Sequence, residues 1–440
     1  MESPPFFTLF LILLSLSAVL CHSAAAVTYP KEAHPTKSGY LTVNSTSGSA
    51  IFYTFYEAQS SYNNIPLSQT PILIWLQGGP GCSSMLGNLF ELGPWIVNQE
   101  LSLEPNNGSW NKIFGLLFLD NPIGTGFSIA ASPEEIPRNQ KDVAKHLLIA
   151  LKKFVALDKS FKNRPIYLTG ESYAGKYLPA LGYYILKKNA LLPSEKRVNL
   201  AGVAIGNGLT DPEIQVVTHG VNAYNLGLIN EKQMTLLEKL QFEVVQFIRS
   251  GKWNEATNTR IGVLETLTNM TGLATLYDFR RLTPYPTRLV AKFLNNLEVK
   301  KALGVKESMV FELCSSVVAD ALHEDVMKSV RYMVEFLVRK TKVLLYQGQC
   351  DLRDGPFSTL TWVKKMKWEG IDEFLEAERK VWMVDGKLAG YVQKWENLSH
   401  VVVLNAGHLV PTDQSLNSQI MIQDWLLDRG LFKKSGKNEH

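Results

Sequence analysis

Short, wholly apolar runs recur along the chain. They occupy residues 71–76, 115–120, 165–170, 200–208 and 341–348, and most of them end at a glycine. Runs of this length predict central strands covered on both faces. Helical patterns lie between them. Within 143–154 the apolar positions Val143, Leu147, Leu148, Leu151 and Phe154 fall on one helix face. This β-α-β alternation predicts an α/β fold built on a central, mostly parallel sheet flanked by helices. Ahead of it, "GYLTV" and "AIFYTFYEA", separated by the turn-rich "NSTSGS", predict an opening antiparallel pair. Near the C-terminus, alternation around Asp385-Gly386 predicts a hairpin, "HVVVLNAGH" a last buried strand, and "QSLNSQIMIQDWLLD" a closing amphipathic helix.

The alternation lapses over residues 212–304, which read as helical and irregular, without an apolar strand. The expected organisation is a core of 26–211 and 305–432, an inserted helical cap at 212–304, and a flexible polar tail at 433–440. No internal repeat or low-complexity segment interrupts it.

The N-terminus adds a compartment. The run "FFTLFLILLSLSAVLC" followed by "HSAAA" predicts a signal peptide over 1–25, cleaved among small residues. Glu2 is atypical there, and a membrane anchor is the alternative; the absence of basic flanks favours cleavage. Passage into the secretory route makes Asn44, Asn107, Asn269 and Asn397 candidate glycosylation sites. It also implies a secreted or vacuolar (lysosome-like) destination, with no membrane attachment after cleavage. Of the four cysteines, Cys21 leaves with the signal peptide, so at least one of Cys82, Cys314 and Cys350 is unpaired or pairs between chains. A homodimer is therefore compatible with the sequence. With so few cysteines, the core must carry stability. The 45 basic and 41 acidic residues are well mixed, for a net charge of +4, which gives no support for nucleic acid as a partner. The eight histidines show no ligand spacing, so no metal and no cofactor is expected.

The chemistry is carried by "IYLTGESYAGKY" at 166–177. Gly-x-Ser-x-small between a strand and a helix is a nucleophile elbow, a turn tight enough to stand the Ser172 hydroxyl above the sheet. The second flank is Ala174, with Gly175 one residue later, and alone such a pattern is also met at buried structural serines. A serine needs a histidine to take its proton and a carboxylate to orient that histidine, in the chain order Ser, Asp or Glu, His. Asp351 follows the run 341–348, and His408 follows the last apolar run. Both positions lie where such sheets build sites. The glycine-rich "GGPGCSS" at 78–84 follows another strand and lets backbone approach a substrate closely. The N–H groups of Gly79 and Tyr173 are the candidate oxyanion donors. Phosphate binding by that loop is disfavoured, since no Gly-Lys-Ser/Thr follows.

Together "WLQGGPGCSS", "GESYAGKY", "YQGQCD" and "NAGHLVP" resemble the serine carboxypeptidases of the α/β-hydrolase fold, in the style of the plant serine carboxypeptidase-like proteins. "FLDNPIGTGFS" and "IGNGLTDP" are similar to further signatures of that family. The resemblance implies Ser172 as nucleophile, His408 as general base and acid, and Asp351 as its orienter. It implies Gln77, Gly78, Glu171 and the supporting Glu91 as the holders of a peptide's terminal carboxylate, and a Cys82–Cys314 bridge with Cys350 free. A protonated Glu171 would donate to that carboxylate, which implies activity at acid pH on the C-termini of peptides or proteins. The sequence departs from the family at Gln77, where asparagine is usual, and at Gln349, the first Asp of the family's "GDxD". It also lacks the cap cysteines the family usually carries. Two other functions stay open on the sequence: a carboxypeptidase-like acyltransferase using glucose esters, whose pentapeptide more often reads "GDSYS", and a catalytically inactive homologue.

Overall fold

The computed structural model describes residues 29–63 and 65–433. The predicted signal peptide and most of the predicted tail lie outside those residues. Among the described residues twelve strands occur in chain order: β1 (Lys37–Thr42), β2 (Ala50–Tyr56), β3 (Ile72–Leu76), β4 (Trp95–Val97), β5 (Leu103–Pro105), β6 (Gly115–Leu119), β7 (Ile166–Glu171), β8 (Leu200–Gly206), β9 (Lys342–Gly348), β10 (Lys380–Val384), β11 (Lys387–Trp395) and β12 (Leu398–Val403). Ten form one sheet in the order β1-β2-β6-β3-β7-β8-β9-β12-β11-β10. The middle of this sheet, β6-β3-β7-β8-β9-β12, is parallel, and antiparallel pairs close both edges. The sheet is that of an α/β-hydrolase, as the apolar runs predict. The small β4–β5 hairpin is a feature that the sequence pattern does not reveal.

The all-apolar strands work because period-two alternation sends successive side chains into two different cores. Ile72, Ile74, Leu168, Val203, Ile205, Val343 and Leu345 pack on one face. The helices Gln140–Ala156 and Ala174–Asn189 cover that face through Leu147, Leu151, Leu178 and Leu181. Leu73, Trp75, Tyr167, Leu344, Tyr346 and Val401 pack on the other, under Met421, Ile422 and Trp425 of the helix Ser415–Leu426.

Between β8 and β9 the chain runs through helices. Glu231–Arg249 opens on a reciprocal cap, in which the Asn230 side chain accepts from Gln233 N–H and the Gln233 side chain accepts from Asn230 N–H. It packs against Trp253–Thr271. The helices Arg288–Leu294 and Leu297–Leu303 join a separate core with Phe52, Met85, Phe127 and Phe311, at the carboxyl end of the sheet. Cys82 and Cys314 are disulfide-bonded, tying the glycine-rich loop to the segment that follows these helices, and Cys350 is free and buried. Among the described residues no helix is long and apolar enough to cross a membrane.

Candidate active site

Parallel pairing across β3, β7, β8, β9 and β12 aligns the carboxyl ends of strands far apart in sequence. Leu76 pairs with Gly170, Glu171 with Gly206, Gly206 with Tyr346, and Val403 with Gly348. Each strand therefore releases its next residues into one crevice, the ordinary ligand site of such a sheet.

Ser172 follows β7 directly and has φ 62°, the left-handed region that non-glycine residues rarely adopt. Its neighbours hold it there: its N–H donates to the Gly206 carbonyl at 3.0 Å, and its carbonyl accepts from Gly175 N–H (2.8 Å) and Leu209 N–H (2.9 Å). The small flank is required. A Cβ on Gly170 would lie 2.2 Å from the Leu76 carbonyl oxygen and 3.0 Å from the Ala174 Cβ. Alanine fits at 174 because glycine already supplies the clearance at 170.

His408 and Asp351 meet. His408 Nδ1 and Asp351 Oδ2 are 2.7 Å apart, with both side chains buried. A carboxylate at Nδ1 holds the proton on that nitrogen and leaves Nε2 to accept. Asp351 is braced by Asn207 Nδ2 (2.7 Å) and by the backbone N–H groups of Arg353 (2.7 Å) and Asp354 (3.2 Å). The His408 ring stacks on Tyr277, centroids 4.5 Å apart. The remaining link is open: Nε2 has no hydrogen-bond partner, so the Ser172 hydroxyl is not bonded to it. Such links commonly tighten only in the complex with substrate. Asn207 and Tyr277 escaped the sequence reading. Asn207 sits in the quoted "IGNG" run, but nothing local marks it as a partner of Asp351.

The loop after β3 lies against the nucleophile. A Cβ on Gly78 would fall 2.6 Å from both the Ser172 Cβ and the Tyr173 nitrogen, so only glycine permits the approach. The N–H groups of Gly79 and Tyr173, the candidate oxyanion pair, donate to no other described residue. Both are anchored from behind. Asp120 accepts from the Ser83 hydroxyl (2.5 Å) and from the N–H groups of Ser84 (2.9 Å) and Phe127 (3.0 Å), fixing the glycine loop. The Tyr173 hydroxyl donates to Asp325 Oδ2 at 2.8 Å, and the same oxygen takes Lys176 Nζ at 3.0 Å and Gln140 Nε2 at 2.7 Å.

The candidate carboxylate-binding residues form a buried cluster with an unexpected internal arrangement. Gln77 Nε2 donates to Glu171 Oε1 (2.7 Å) and to Glu91 Oε1 (3.2 Å), while Gln77 Oε1 accepts from the Trp75 indole N–H (2.8 Å). Both donors of the longer amide are thus engaged in bracketing the two acids. The extra methylene of glutamine lets this amide span both carboxyls. Burial pushes Glu91 and Glu171 well above the ordinary carboxylate range, and the charge of Glu91 pushes Glu171 further. Glu91 Oε2 and Glu171 Oε2 accept from no donor of the described residues, and the two carboxyls are close enough to share a proton with each other. A cavity of about 260 Å³ is bounded by Gln77, Gly78, Glu171, Ser172, Tyr285 and Leu409. A second, of about 150 Å³, meets it at Gly79 and Ser172. Of the candidate glycosylation sites, Asn107 and Asn269 are exposed; Asn44 and Asn397 are half-buried, with Asn397 Nδ2 donating to the Val338 carbonyl at 2.8 Å.

Residues 28–428 match the family model for serine carboxypeptidase. The chain is 56% identical over 428 residues to serine carboxypeptidase-like 50 of Arabidopsis thaliana, covering 97% of this chain and 95% of that protein. It is 35% identical over 405 residues to the probable serine carboxypeptidase CPVL of Homo sapiens, covering 89% and 83%. Among solved structures it is similar to Kex1(Δ)p, a prohormone-processing carboxypeptidase from Saccharomyces cerevisiae, with a TM-score of 0.81, 28% identity, and 91% and 93% of the two chains covered.

Proposed function

We propose, for a chain that belongs to the serine carboxypeptidase family, that it removes single residues from peptide C-termini through an acyl-enzyme formed on Ser172. The Ser172 hydroxyl attacks the carbonyl of the last peptide bond and passes its proton to His408 Nε2, with Asp351 stabilising the imidazolium. The oxyanion is taken by the N–H groups of Gly79 and Tyr173. The proton then goes to the leaving amine as the C–N bond breaks, and water repeats the sequence on the ester to release the shortened peptide.

The observation that carries this reading is the acid pair beside the nucleophile. Two carboxyls this deeply buried remain partly protonated at acid and neutral pH, and an esterase acting on neutral groups has no use for them. A protonated carboxyl at Glu171 Oε2 can donate to a substrate carboxylate, aided by Gly78 N–H, which donates to no described residue. The scissile carbonyl is then one residue away, over Ser172. The same proton accounts for operation in an acidic lumen reached by the secretory route.

The test uses purified protein at acid pH with blocked dipeptides bearing a free or an amidated C-terminus, together with fluorophosphonate labelling. Release from free-acid peptides alone, with labelling lost in Ser172→Ala, is the expected result. Acyl transfer from a glucose ester without peptide cleavage would favour the transferase reading. Silence towards every substrate with no labelling would favour an inactive homologue.

A further inference from the structure

Across Ser172 from the acid pair lies the second cavity, of about 150 Å³, whose wall includes Arg260 and Arg353. Arg260 comes from the helix Trp253–Thr271 and Arg353 from the turn after β9. Arg353 is engaged, its Nη1 donating to the Tyr277 hydroxyl at 3.3 Å and its guanidinium 5.2 Å from that ring's centroid. Arg260 is not. It is only 5% exposed, yet it makes no hydrogen bond and no ion pair with any described residue.

None of its nitrogens is sealed off, so the five donors of this deep guanidinium open onto the cavity it lines, where no protein acceptor meets them. Burial lowers Arg260 to about 10, and the balancing influence comes through space from Asp354. Asp354 is itself occupied, accepting from Gln215 Nε2 at 3.2 Å. Asp351 is taken by His408 and its braces. Two guanidinium groups thus face one cavity, and the acids beside them, Asp354 in the same wall and Asp351 near Arg353, are both already hydrogen-bonded elsewhere. An incoming carboxylate would supply the missing acceptor, in the planar two-oxygen geometry that arginine prefers.

Resting on the carboxypeptidase reading, we propose that this cavity receives the side chain of the residue preceding the scissile bond, and that Arg260 selects an acidic one there. With the C-terminal residue on the Glu171 side and the carbonyl over Ser172, the preceding residue's side chain faces the cavity containing Arg260. The space fits a short acidic chain. The substrate class is therefore peptides ending in Asp-X or Glu-X.

The test compares blocked dipeptides with a common C-terminal residue preceded by Glu, Gln, Ala or Lys, at about pH 5.5, where a glutamate side chain is ionised. Glu should exceed Gln in kcat/KM by roughly tenfold, the worth of a charge-assisted bond. Arg260→Gln should bring that ratio close to one, and Arg260→Glu should invert it in favour of Lys. The ratio is read within each protein, and fluorophosphonate labelling reports that Ser172 remains competent. Cleavage of the Gln and Ala peptides without a Glu advantage, or an advantage surviving Arg260→Gln, overturns the inference alone. No cleavage of any of the four overturns the carboxypeptidase reading and this inference with it.

Discussion

Glu171→Gln tests the acid pair through stability and binding together. Glutamine keeps the oxygen that accepts from Gln77 Nε2 at 2.7 Å and replaces the acidic proton with an amide. The magnitude follows from burial. Glu171 is 1% exposed and held well above its ordinary range, whereas in the unfolded chain it titrates near the usual value of about 4.3. Below that value both states are protonated and the group is neutral to stability. Above it the unfolded state gains by ionising and the folded state does not, so stability falls as pH rises from there towards the folded titration. The deficit grows with pH for as long as the folded carboxyl stays protonated, and burial together with the neighbouring Glu91 holds it so. Removing the Glu171 acid while keeping its acceptor oxygen should therefore stabilise the protein at neutral pH by about 1–3 kcal/mol, the usual cost of a buried group left unsatisfied, and change little at about pH 4. Urea unfolding followed by tryptophan fluorescence at the two pH values gives the double difference. The KM for free-acid peptides should climb with pH in the parent and stay flatter in the variant. An equal stability change at both pH values, or a parent KM that does not move with pH, would refute the protonated-pair argument.

Ser172→Gly should abolish turnover while raising stability by about 1 kcal/mol, because φ 62° is strained for serine and free for glycine; a chemical melt with no gain would contradict this. Asn207→Ala removes a 2.7 Å brace from Asp351 and should lower kcat roughly 10- to 100-fold with little change in KM, which steady-state kinetics on one peptide would reveal. Gly78→Ala forces a Cβ to 2.6 Å from Ser172 and should eliminate fluorophosphonate labelling while leaving the far-UV circular dichroism intact; normal labelling would mean that the loop is softer than its packing indicates.

Most of the sheet was legible because its apolar runs are local signals. A strand buried on both faces is mostly apolar, with its buried polar residues, such as Thr169, Glu171 and Gln347, towards the carboxyl end, so β3, β6, β7, β8 and β9 announce themselves. The β4–β5 hairpin did not, since three-residue strands such as Trp95–Val97 are too short for a periodic pattern. The candidate Ser172, Asp351 and His408 were visible as residues just past strand ends, and Gly79 and Tyr173 through the turn chemistry around them. The partners of Gln77 were not legible: its reach to Glu91, Glu171 and Trp75 depends on where β3 and β7 lie side by side.

By itself, then, the amino-acid sequence determined the α/β class, the tight corner at Ser172 and the identities of the groups available for acid–base work, all matters of local pattern and side-chain chemistry. Only the tertiary structure decided which of those groups touch. His408 reaches Asp351 across 57 positions, Gln77 reaches Glu171 across 94, and Arg260 is carried to the crevice on a helix whose own sequence says nothing of it. The reason is that parallel strands are joined through long crossovers, so their alignment is set by pairing and core packing between distant segments. That alignment, which no local stretch of chain encodes, makes the distances of the site.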